Sequence, residues 1–201
     1  MNASKQWSPL FVLSGGGTGG HVYPSLAVAA ALAHANSTAR IAYVGSPDGM
    51  EGDLVQREST IPFWPIDAAA VRGRGPVALA RNVWRLLRGI IQAIQLIQRE
   101  RPAAIFGTGG YVCVPLFVAA WLMRVPSAIY LPDVVPGLAV RMLSRIASVT
   151  LASIPDAAPH VGLPVVAQAQ WRRGRRAIIV TGYPVRAEVL HADREIGRAH
   201  V

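Results

Sequence analysis

The sequence predicts an α/β fold: a Rossmann-like parallel sheet with helices on both of its faces. Three observations support this prediction. Short apolar segments alternate along the chain with longer helical segments, as in βαβ units. A G-x-G-x-x-G pattern, at residues 15–20, stands between an apolar segment and an alanine-rich one. A second glycine-rich segment, at residues 107–110, repeats that arrangement.

The composition limits both the size and the class of the protein. A chain of 201 residues is one large domain or two small ones, and 52% hydrophobic residues suffice for a sizeable core. The net charge of +9 comes almost wholly from arginine, since Lys5 is the single lysine. Arginine pairs well with phosphates and carboxylates, so we expect an anionic substrate or an anionic surface. No helix-turn-helix, zinc-finger or aromatic stacking pattern accompanies this charge, so we expect no nucleic-acid partner.

Two further features restrict the environment of the chain. Cys113 is the single cysteine, which excludes an internal disulfide framework and a cysteine zinc site and fits a reducing compartment. Residues 1–10 are polar and do not resemble a secretory signal, so we interpret them as a leader. Residues 103–123 carry no charge, but the glycines at 107–110 interrupt them, and we predict no transmembrane helix there.

The first strand, loop and helix form the first candidate site. Residues 11–13 are apolar and predict a buried strand, and Pro24 marks the first turn of a helix that continues to Leu32. Glycines between the two elements let backbone N–H groups approach an anion, which the positive end of the helix also favours. A phosphate or diphosphate is the expected ligand. The alternative is a tight turn that serves packing alone.

His21 directly follows this glycine loop. It stands where a ligand bound on the loop would lie, so it is a candidate general base. Histidines at such turns also serve only to hydrogen-bond the backbone, and the sequence leaves both roles open.

The next strand, at residues 40–45, completes a βαβ unit and leads into a turn with two acids, Asp48 and Glu51. Their distance from the glycine loop is typical of the ribose carboxylate in nicotinamide-binding folds, which keeps a dinucleotide alternative open. His21 after the last glycine is unusual for that fingerprint. A short helix at 53–57 and an edge strand at 61–66, limited by its prolines, follow.

A basic loop at residues 72–76 leads into a long helix predicted from Val77 to Gln98. Six apolar residues at helical spacing are expected to face the core: Leu79, Leu86, Leu87, Ile90, Ile94 and Ile97. Trp84 lies on a second apolar stripe, with Val77 and Ile91, and arginines flank it. Such a stripe is typical of a helix at the surface of an anionic membrane, and the alternative is packing against another helix.

The segment that starts at Gly107 repeats the one that starts at Gly17. Both read Gly-Thr-Gly-Gly, and both continue with a valine, then Val-Ala-Ala, then a leucine. Two strand–loop–helix units of one parallel sheet would bring both loops to one cleft, where they hold two phosphates, or one diphosphate and a sugar. Tyr111 takes the place of His21 in the second loop, so the first loop alone carries a candidate base.

The remaining segments complete the predicted sheet. Strands are expected at residues 125–131, 149–152 and 177–180, and a helix at residues 138–147. Asp133 follows the first of these strands and brings a carboxylate to the cleft, and Arg186 follows the last and brings a phosphate-binding group. We expect the domain to cover residues 11–190. Residues 191–201 continue no core pattern, and we interpret them as a truncated tail whose last six residues are artefactual.

Several motifs occur together in the order and approximate spacing of one known family. They are GGTGGHVYPSLAVA, GSPDGMEGDLV, RGRG, GTGGYV with a following AAW, PGLAVRML and GYPVR. The chain thus resembles the N-terminal half of the MurG-type N-acetylglucosaminyltransferases of glycosyltransferase family 28. The resemblance covers nearly the whole domain, and the combination of motifs is specific although one glycine loop alone is not.

The resemblance implies one half of a two-domain GT-B enzyme, whose donor-binding C-terminal domain this sequence does not contain. The implied reaction is an inverting transfer of N-acetylglucosamine from UDP-N-acetylglucosamine to a polyprenyl-diphosphate-linked muramoyl-pentapeptide in peptidoglycan synthesis. No metal and no cofactor is implied. The implied location is peripheral, on the cytoplasmic face of the bacterial plasma membrane, with an anionic membrane surface as a partner. We expect the fragment alone to be inactive.

The resemblance also assigns roles to residues. His21 becomes the catalytic base on the acceptor hydroxyl. The donor-binding residues are Thr18, Gly19, Gly20, Asp133 and Arg186. The residues that bind the acceptor diphosphate are Gly16, Gly17, Thr108, Gly109, Gly110 and Tyr111. The membrane-docking residues are Arg72, Arg74, Arg81, Trp84, Arg88 and Trp121.

Two departures from the family pattern keep other functions open. Residues 130–133 read Tyr-Leu-Pro-Asp where the family usually has His-Glu-Gln-Asn, and Tyr183 replaces an asparagine before Pro-Val-Arg. An aspartate in place of a sugar-binding asparagine loses two donors and adds negative charge near a diphosphate. The alternatives are a related glycolipid transferase, a dinucleotide-dependent oxidoreductase and a non-catalytic membrane-binding module.

Overall fold

The computed structural model describes residues 8–69, 75–172, 174 and 176–185. This part of the chain forms a seven-stranded sheet in the order β3-β2-β1-β4-β5-β6-β7. The strands are β1 Leu10–Ser14, β2 Arg40–Gly45, β3 Phe63–Pro65, β4 Ala104–Gly107, β5 Ser127–Leu131, β6 Val149–Ala152 and β7 Ile178–Val180. Every pairing between them is parallel, so all the carboxyl ends lie at one edge of the sheet. The prolines at 62 and 65 fit the edge position of β3.

Helices cover both faces of the sheet. They are α1 Gly19–Ala35, α2 Glu51–Glu58, α3 Pro76–Glu100, α4 Cys113–Leu122, α5 Leu138–Leu143 and α6 Ala158–Val161. Side chains alternate along β1, so Val12 packs with residues of α3, α4 and α5, whereas Leu13 packs with residues of α1 and α2. The predicted fold class is therefore confirmed.

The first helix begins five residues earlier than the sequence suggested. We placed Pro24 in the first turn, but α1 starts at Gly19, after Thr18 in an extended conformation, and Pro24 lies one turn further on. Glycine is a poor helix former, so burial of Val22 and its neighbours against the sheet, and not local propensity, sets this start. As a result, Gly19, Gly20 and His21 belong to the positively polarised first turn.

Helix α3 begins at Pro76, one residue before the predicted start, and two of the six residues assigned to its core face are exposed. Leu79 is 43% and Leu87 is 49% exposed, whereas Gly89, Ala93, Leu96 and Ile97 are buried. A Cβ atom at Gly89 would collide with the carbonyl oxygen of Asp67 and lie 3.3 Å from Cβ of Pro115. Small residues thus set the buried face, because they let α3 approach α4 closely.

The opposite face of α3 remains apolar and uncovered. Trp84 is 68% exposed, and Val77 and Ile91 are also exposed, as the second stripe predicted. Arg81 and Arg88 lie on the exposed surface of the same helix, and Arg88 pairs with Asp67 at 3.0 Å. In the described part of the chain, no helix is both long enough and apolar enough to cross a membrane.

Trp121 lies apart from Trp84. It occupies the last turn of α4, at the edge of the sheet where the strands begin, and lines a cavity of about 500 Å³ with Arg124 and Arg176. Since α3 and α4 run side by side, with Gly89 facing Pro115, the two tryptophans are roughly 16 Å apart along the helix axes. The resemblance grouped them in one membrane-docking patch, and that grouping stays a prediction. Arg72 and Arg74 of that patch lie outside the described residues.

Candidate functional site

The two glycine loops meet at the carboxyl edge of the sheet, because β1 and β4 are neighbours. The amide of Gly16 donates to the carbonyl oxygen of Gly109 at 3.3 Å. A Cβ atom at Gly110, whose φ is +85°, would collide with the carbonyl oxygen of Gly16. Only glycine permits both this backbone conformation and this approach. The predicted juxtaposition of the two loops is therefore confirmed.

A buried polar cluster holds the loops from below. The Thr108 hydroxyl donates to the carbonyl oxygen of His21 at 2.5 Å and lies 3.0 Å from the Ser25 hydroxyl. The Tyr43 hydroxyl donates to the carbonyl oxygen of Gly15 at 2.7 Å. Burial raises the pKa of the Tyr43 phenol, so this group stays a hydrogen-bond donor. Each of these bonds fixes a backbone atom of the loop, so the loop shape is set before any ligand binds.

This cluster changes the role expected for Thr108. Its side chain is fully buried, and its hydroxyl bonds within the protein, so it does not face the cleft. Gly16 and Gly109 are also buried and bond to each other. The other predicted loop residues reach the surface of the cleft at least in part: Gly17, Thr18, Gly19, Gly20, Gly110 and Tyr111. The predicted anion would therefore meet these residues, with the buried ones acting as support.

The sequence did not identify Ser25 and Tyr43 as parts of the site. Ser25 gave one signal, since it is a polar residue in an otherwise apolar helix segment and is fully buried. A buried hydroxyl needs a partner, which here is the opposite glycine loop. Tyr43 gave no such signal, because its position in a buried strand is typical of a core aromatic residue.

His21 is held in the first turn of α1 with one ring edge toward a cavity. Its Nδ1 atom lies 2.9 Å from the Thr18 hydroxyl. The other ring edge passes close to Gly109, where a Cβ atom would lie 2.9 Å from Nε2. When Nδ1–H donates to Thr18, the lone pair of Nε2 is free to accept a proton.

Two effects act on the pKa of His21. Burial lowers it, because the charged imidazolium loses solvation, and the carboxylate of Asp133 raises it. The first effect is the larger, so the pKa lies below the ordinary value and the ring is neutral at pH 7. A neutral imidazole is the form that a general base requires.

The cavity beside His21 has a volume of about 470 Å³. The polar side chains and backbone of its lining come from His21, Gly110, Tyr111 and Asp133. Its apolar lining includes Ala69, Leu86, Val114, Val135, Leu138 and Val140. This mixed lining suits a ligand that joins a phosphate group to a hydrocarbon chain.

The two acids after β2 do not face this cavity. Glu51 is fully buried, and its Oε1 atom accepts a hydrogen bond from the amide of Ser46 at 2.8 Å. Its Oε2 atom lies under the first glycine loop, where a Cβ atom at Gly16 would come within 2.6 Å of it. Asp48 pairs with Arg85 of α3. Glu51 is closed off from a ligand and neither carboxylate lines the cavity, which argues against the dinucleotide alternative.

Replacing Glu51 with alanine should lower the free energy of unfolding by about 2 kcal/mol, because the buried amide of Ser46 loses its acceptor and a cavity remains. Urea denaturation of the chain measures this. Asp53→Ala, which removes an exposed carboxylate from the same helix, is the control and should cost less than about 1 kcal/mol. Equal stability of Glu51→Ala and the parent chain would refute the supporting role of Glu51.

Arg186, the predicted donor-side arginine, lies outside the described residues. The segment before it is described up to Val185, and its Tyr183 ring packs edge-on against Tyr130 with the ring centres 6.4 Å apart. That contact places the end of the segment beside the loop that carries Asp133.

A comparison with known protein families identifies the family of this domain. The model of the glycosyltransferase family 28 N-terminal domain matches residues 11–152. The chain belongs to glycosyltransferase family 28. Both glycine loops, His21 and Asp133 fall within the matched residues of this family 28 domain.

Two similar proteins support the assignment to family 28. The chain is 51% identical to the UDP-N-acetylglucosamine--N-acetylmuramyl-(pentapeptide) pyrophosphoryl-undecaprenol N-acetylglucosamine transferase of Roseiflexus sp., over 93% of this chain and 48% of that protein. The crystal structure of Acinetobacter baumannii MurG superimposes with a TM-score of 0.66 at 26% identity, over 89% of this chain and 46% of that one. The chain thus spans about half the length of these relatives.

A more distant structure shares the fold of this chain. S. aureus MnaA, solved with UDP, superimposes with a TM-score of 0.62 at 14% identity and covers 89% of this chain and 46% of that one. At this identity the likeness concerns the fold alone: a Rossmann-like half of a larger protein.

Proposed function

We propose that this chain is the acceptor-binding half of an inverting hexosyltransferase. The complete enzyme transfers N-acetylglucosamine from UDP-N-acetylglucosamine to a muramoyl-pentapeptide carried on a polyprenyl diphosphate. The relatives that bear this activity in their names match the chain over about half of their length. A second, donor-binding half is therefore a required partner, and the chain alone is inactive.

The observation that carries this proposal is the contact between the two glycine loops beside a cavity that His21, Gly110 and Tyr111 line together with apolar side chains. Amides of Gly17 and Gly110 face the acceptor diphosphate, helped by the positive end of α1. The apolar side chains receive the first isoprene units. A lipid diphosphate has both a charged group for the amides and a hydrocarbon chain for the apolar side chains, whereas a free nucleotide has only the charged group.

The geometry of His21 supports its role as the base. Nε2 takes the proton of the acceptor hydroxyl as the hydroxyl oxygen forms a bond to the anomeric carbon of the donor sugar. The bond from that carbon to the UDP oxygen breaks on the opposite face, so the configuration inverts. Thr18, Gly19 and Gly20 contact the donor, with Arg186 on the donor side. The chemistry needs no metal and no cofactor.

The test is a hybrid in which this chain replaces the corresponding half of the Roseiflexus relative. We expect the purified hybrid to transfer labelled N-acetylglucosamine to a lipid-linked muramoyl-pentapeptide, while the chain alone does not. A folded hybrid that binds UDP-N-acetylglucosamine but transfers no sugar to any polyprenyl acceptor would contradict the proposal.

The same proposal places the enzyme on the cytoplasmic face of the bacterial plasma membrane as a peripheral protein. Its support is the exposed face of α3, where Trp84, Val77 and Ile91 stand beside Arg81 and Arg88. Tryptophan and arginine together favour the interface of an anionic bilayer. The cavity that would hold the lipid diphosphate includes Leu86 of the same helix, so α3 would contact both the acceptor and the bilayer.

Trp84→Ala should reduce binding of the chain to anionic vesicles by about 10-fold, because one interfacial aromatic side chain and its buried area are lost. Flotation with phosphatidylglycerol vesicles measures this. Val165→Ala, at an exposed apolar residue beside β7, is the matched control. Trp121→Ala, tested separately, shows whether the far end of α4 takes part. Unchanged flotation of Trp84→Ala would contradict docking through α3.

A further inference from the structure

Asp133 is the one carboxylate among the described residues that line the cavity, and none of those residues is lysine or arginine. It is exposed, and the described part of the chain gives it no ion pair. A carboxylate without a cation is unfavourable where an anionic ligand is to bind. The carboxylate can therefore act as the partner of a positive charge that forms in the cavity.

The loop that carries Asp133 is firmly held. The Ser153 hydroxyl donates to the carbonyl oxygen of Pro132 at 3.0 Å and lies 2.5 Å from the Tyr130 hydroxyl. Tyr130 also donates to the carbonyl oxygen of Gly182 at 3.1 Å. The residue directly before Asp133 is thus fixed to β6 and to the segment after β7, which restricts where the carboxylate can go.

The group that can supply the positive charge is His21. Its Nδ1 edge is taken by Thr18, and its Nε2 edge lies beside Gly109, on the second glycine loop. From the elements around the ring, the titratable or charged side chains at the cavity are Tyr111, on the second glycine loop, and Asp133, on the loop after β5. Only the second is negative at neutral pH.

We propose that Asp133 is a positioning residue that stabilises the imidazolium formed on His21 during sugar transfer. This inference rests on the proposed transferase function. When Nε2 accepts the acceptor proton, the ring becomes positive, and the carboxylate that lines the same cavity lowers the energy of that charge. The proton then leaves to solvent after the product departs. This role replaces the direct donor contact that the sequence suggested for Asp133.

The effect of Asp133 on the pKa of His21 in the unliganded chain agrees with this role. The Asp133 carboxylate raises the pKa of His21 against the larger opposite effect of burial. Burial is the main cause of the raised pKa of Tyr130 and of Tyr183, and the Asp133 carboxylate raises both further. A single carboxylate thus acts on the His21 ring and on two tyrosine rings that line a neighbouring cavity.

The test is an NMR titration of the His21 ring in this 201-residue chain, which needs neither the donor half nor a substrate. In Asp133→Asn the titration midpoint should move to lower pH, because the raising influence is gone while burial remains. High salt should move the parent midpoint in the same direction and leave the variant nearly unchanged. Asp156→Asn, which removes another exposed carboxylate, is the matched control and should leave the midpoint in place.

Kinetics of the hybrid enzyme complete the test. Asp133→Asn should lower kcat by roughly 10-fold and shift the acid limb of kcat/KM to lower pH. An unmoved midpoint, or a rise in KM for UDP-N-acetylglucosamine with an unmoved acid limb, would overturn the inference in favour of direct donor contact. If the midpoint moves but no form of the hybrid transfers sugar, the coupling stands and the proposed transferase function fails.

Discussion

His21→Ala in the hybrid transferase is expected to lower kcat by roughly 10²-fold or more, with a much smaller change in KM for the lipid acceptor. The physical reason is the position of Nε2 at the cavity, with Nδ1 held by Thr18 and the ring neutral at pH 7. Removing the imidazole removes the proton acceptor, while the glycine loops that bind the diphosphate keep their support from Thr108 and Ser25.

The pH profile adds a second readout for His21. Burial lowers its pKa, so the active neutral form prevails at pH 7 and kcat/KM falls only as the pH drops through that lowered pKa. In His21→Ala this acid limb should disappear. His34→Ala, at an exposed position of the same helix, is the control and should retain both rate and profile. A kcat within about 3-fold of the parent in His21→Ala would reduce the histidine to a structural role.

Gly110→Ala should be the most disruptive single change to the site. Two effects act together there: φ is +85°, and the new Cβ atom would collide with the carbonyl oxygen of Gly16. The loops would have to separate, which breaks the bond from Gly16 to Gly109. We expect the free energy of unfolding to fall by more than about 3 kcal/mol and lipid diphosphate binding to be lost.

Substitutions at two other glycines allow the effect of the backbone conformation and the effect of the collision to be measured separately. Gly75 has φ of +98° and nothing within 4 Å of an added Cβ, so Gly75→Ala tests the backbone conformation alone, at about 1–3 kcal/mol. Gly137 has a negative φ and equally open surroundings, so Gly137→Ala should be almost neutral. Urea denaturation of the three variants gives the comparison. A Gly110→Ala variant no less stable than Gly75→Ala would contradict the close contact of the loops.

The fold was largely predictable, because short apolar segments followed by turns alternate with longer helical segments, which are either apolar throughout, as in α1 and α4, or amphipathic, as in α3. The start of α1 was not predictable from the sequence. Local signals placed it at Pro24, whereas packing of Val22 and its neighbours extends the helix back to Gly19. The faces of α3 were only partly predictable, since hydrophobicity favours large residues and the buried face depends on Gly89 and Ala93, which admit the neighbouring helix.

The candidate site, too, was only partly predictable from the sequence. The glycine loops and His21 carry sequence signals, because a parallel sheet brings the carboxyl ends of β1 and β4 together. The support from Ser25 and Tyr43, and the buried position of Thr108, depend on contacts between segments far apart in the chain. Asp133 was assigned by resemblance to the donor, but its place in the same cavity as His21 follows only from the fold.

The central claim is that the paired glycine loops bind the diphosphate of a lipid acceptor. The most direct measurement is an NMR titration of the ¹⁵N-labelled chain with a short polyprenyl diphosphate. We predict amide shifts concentrated at residues 15–21 and 107–112, and loss of those shifts in Gly110→Ala. Absence of any shift at both loops, or binding that is confined to another part of the chain, would contradict it.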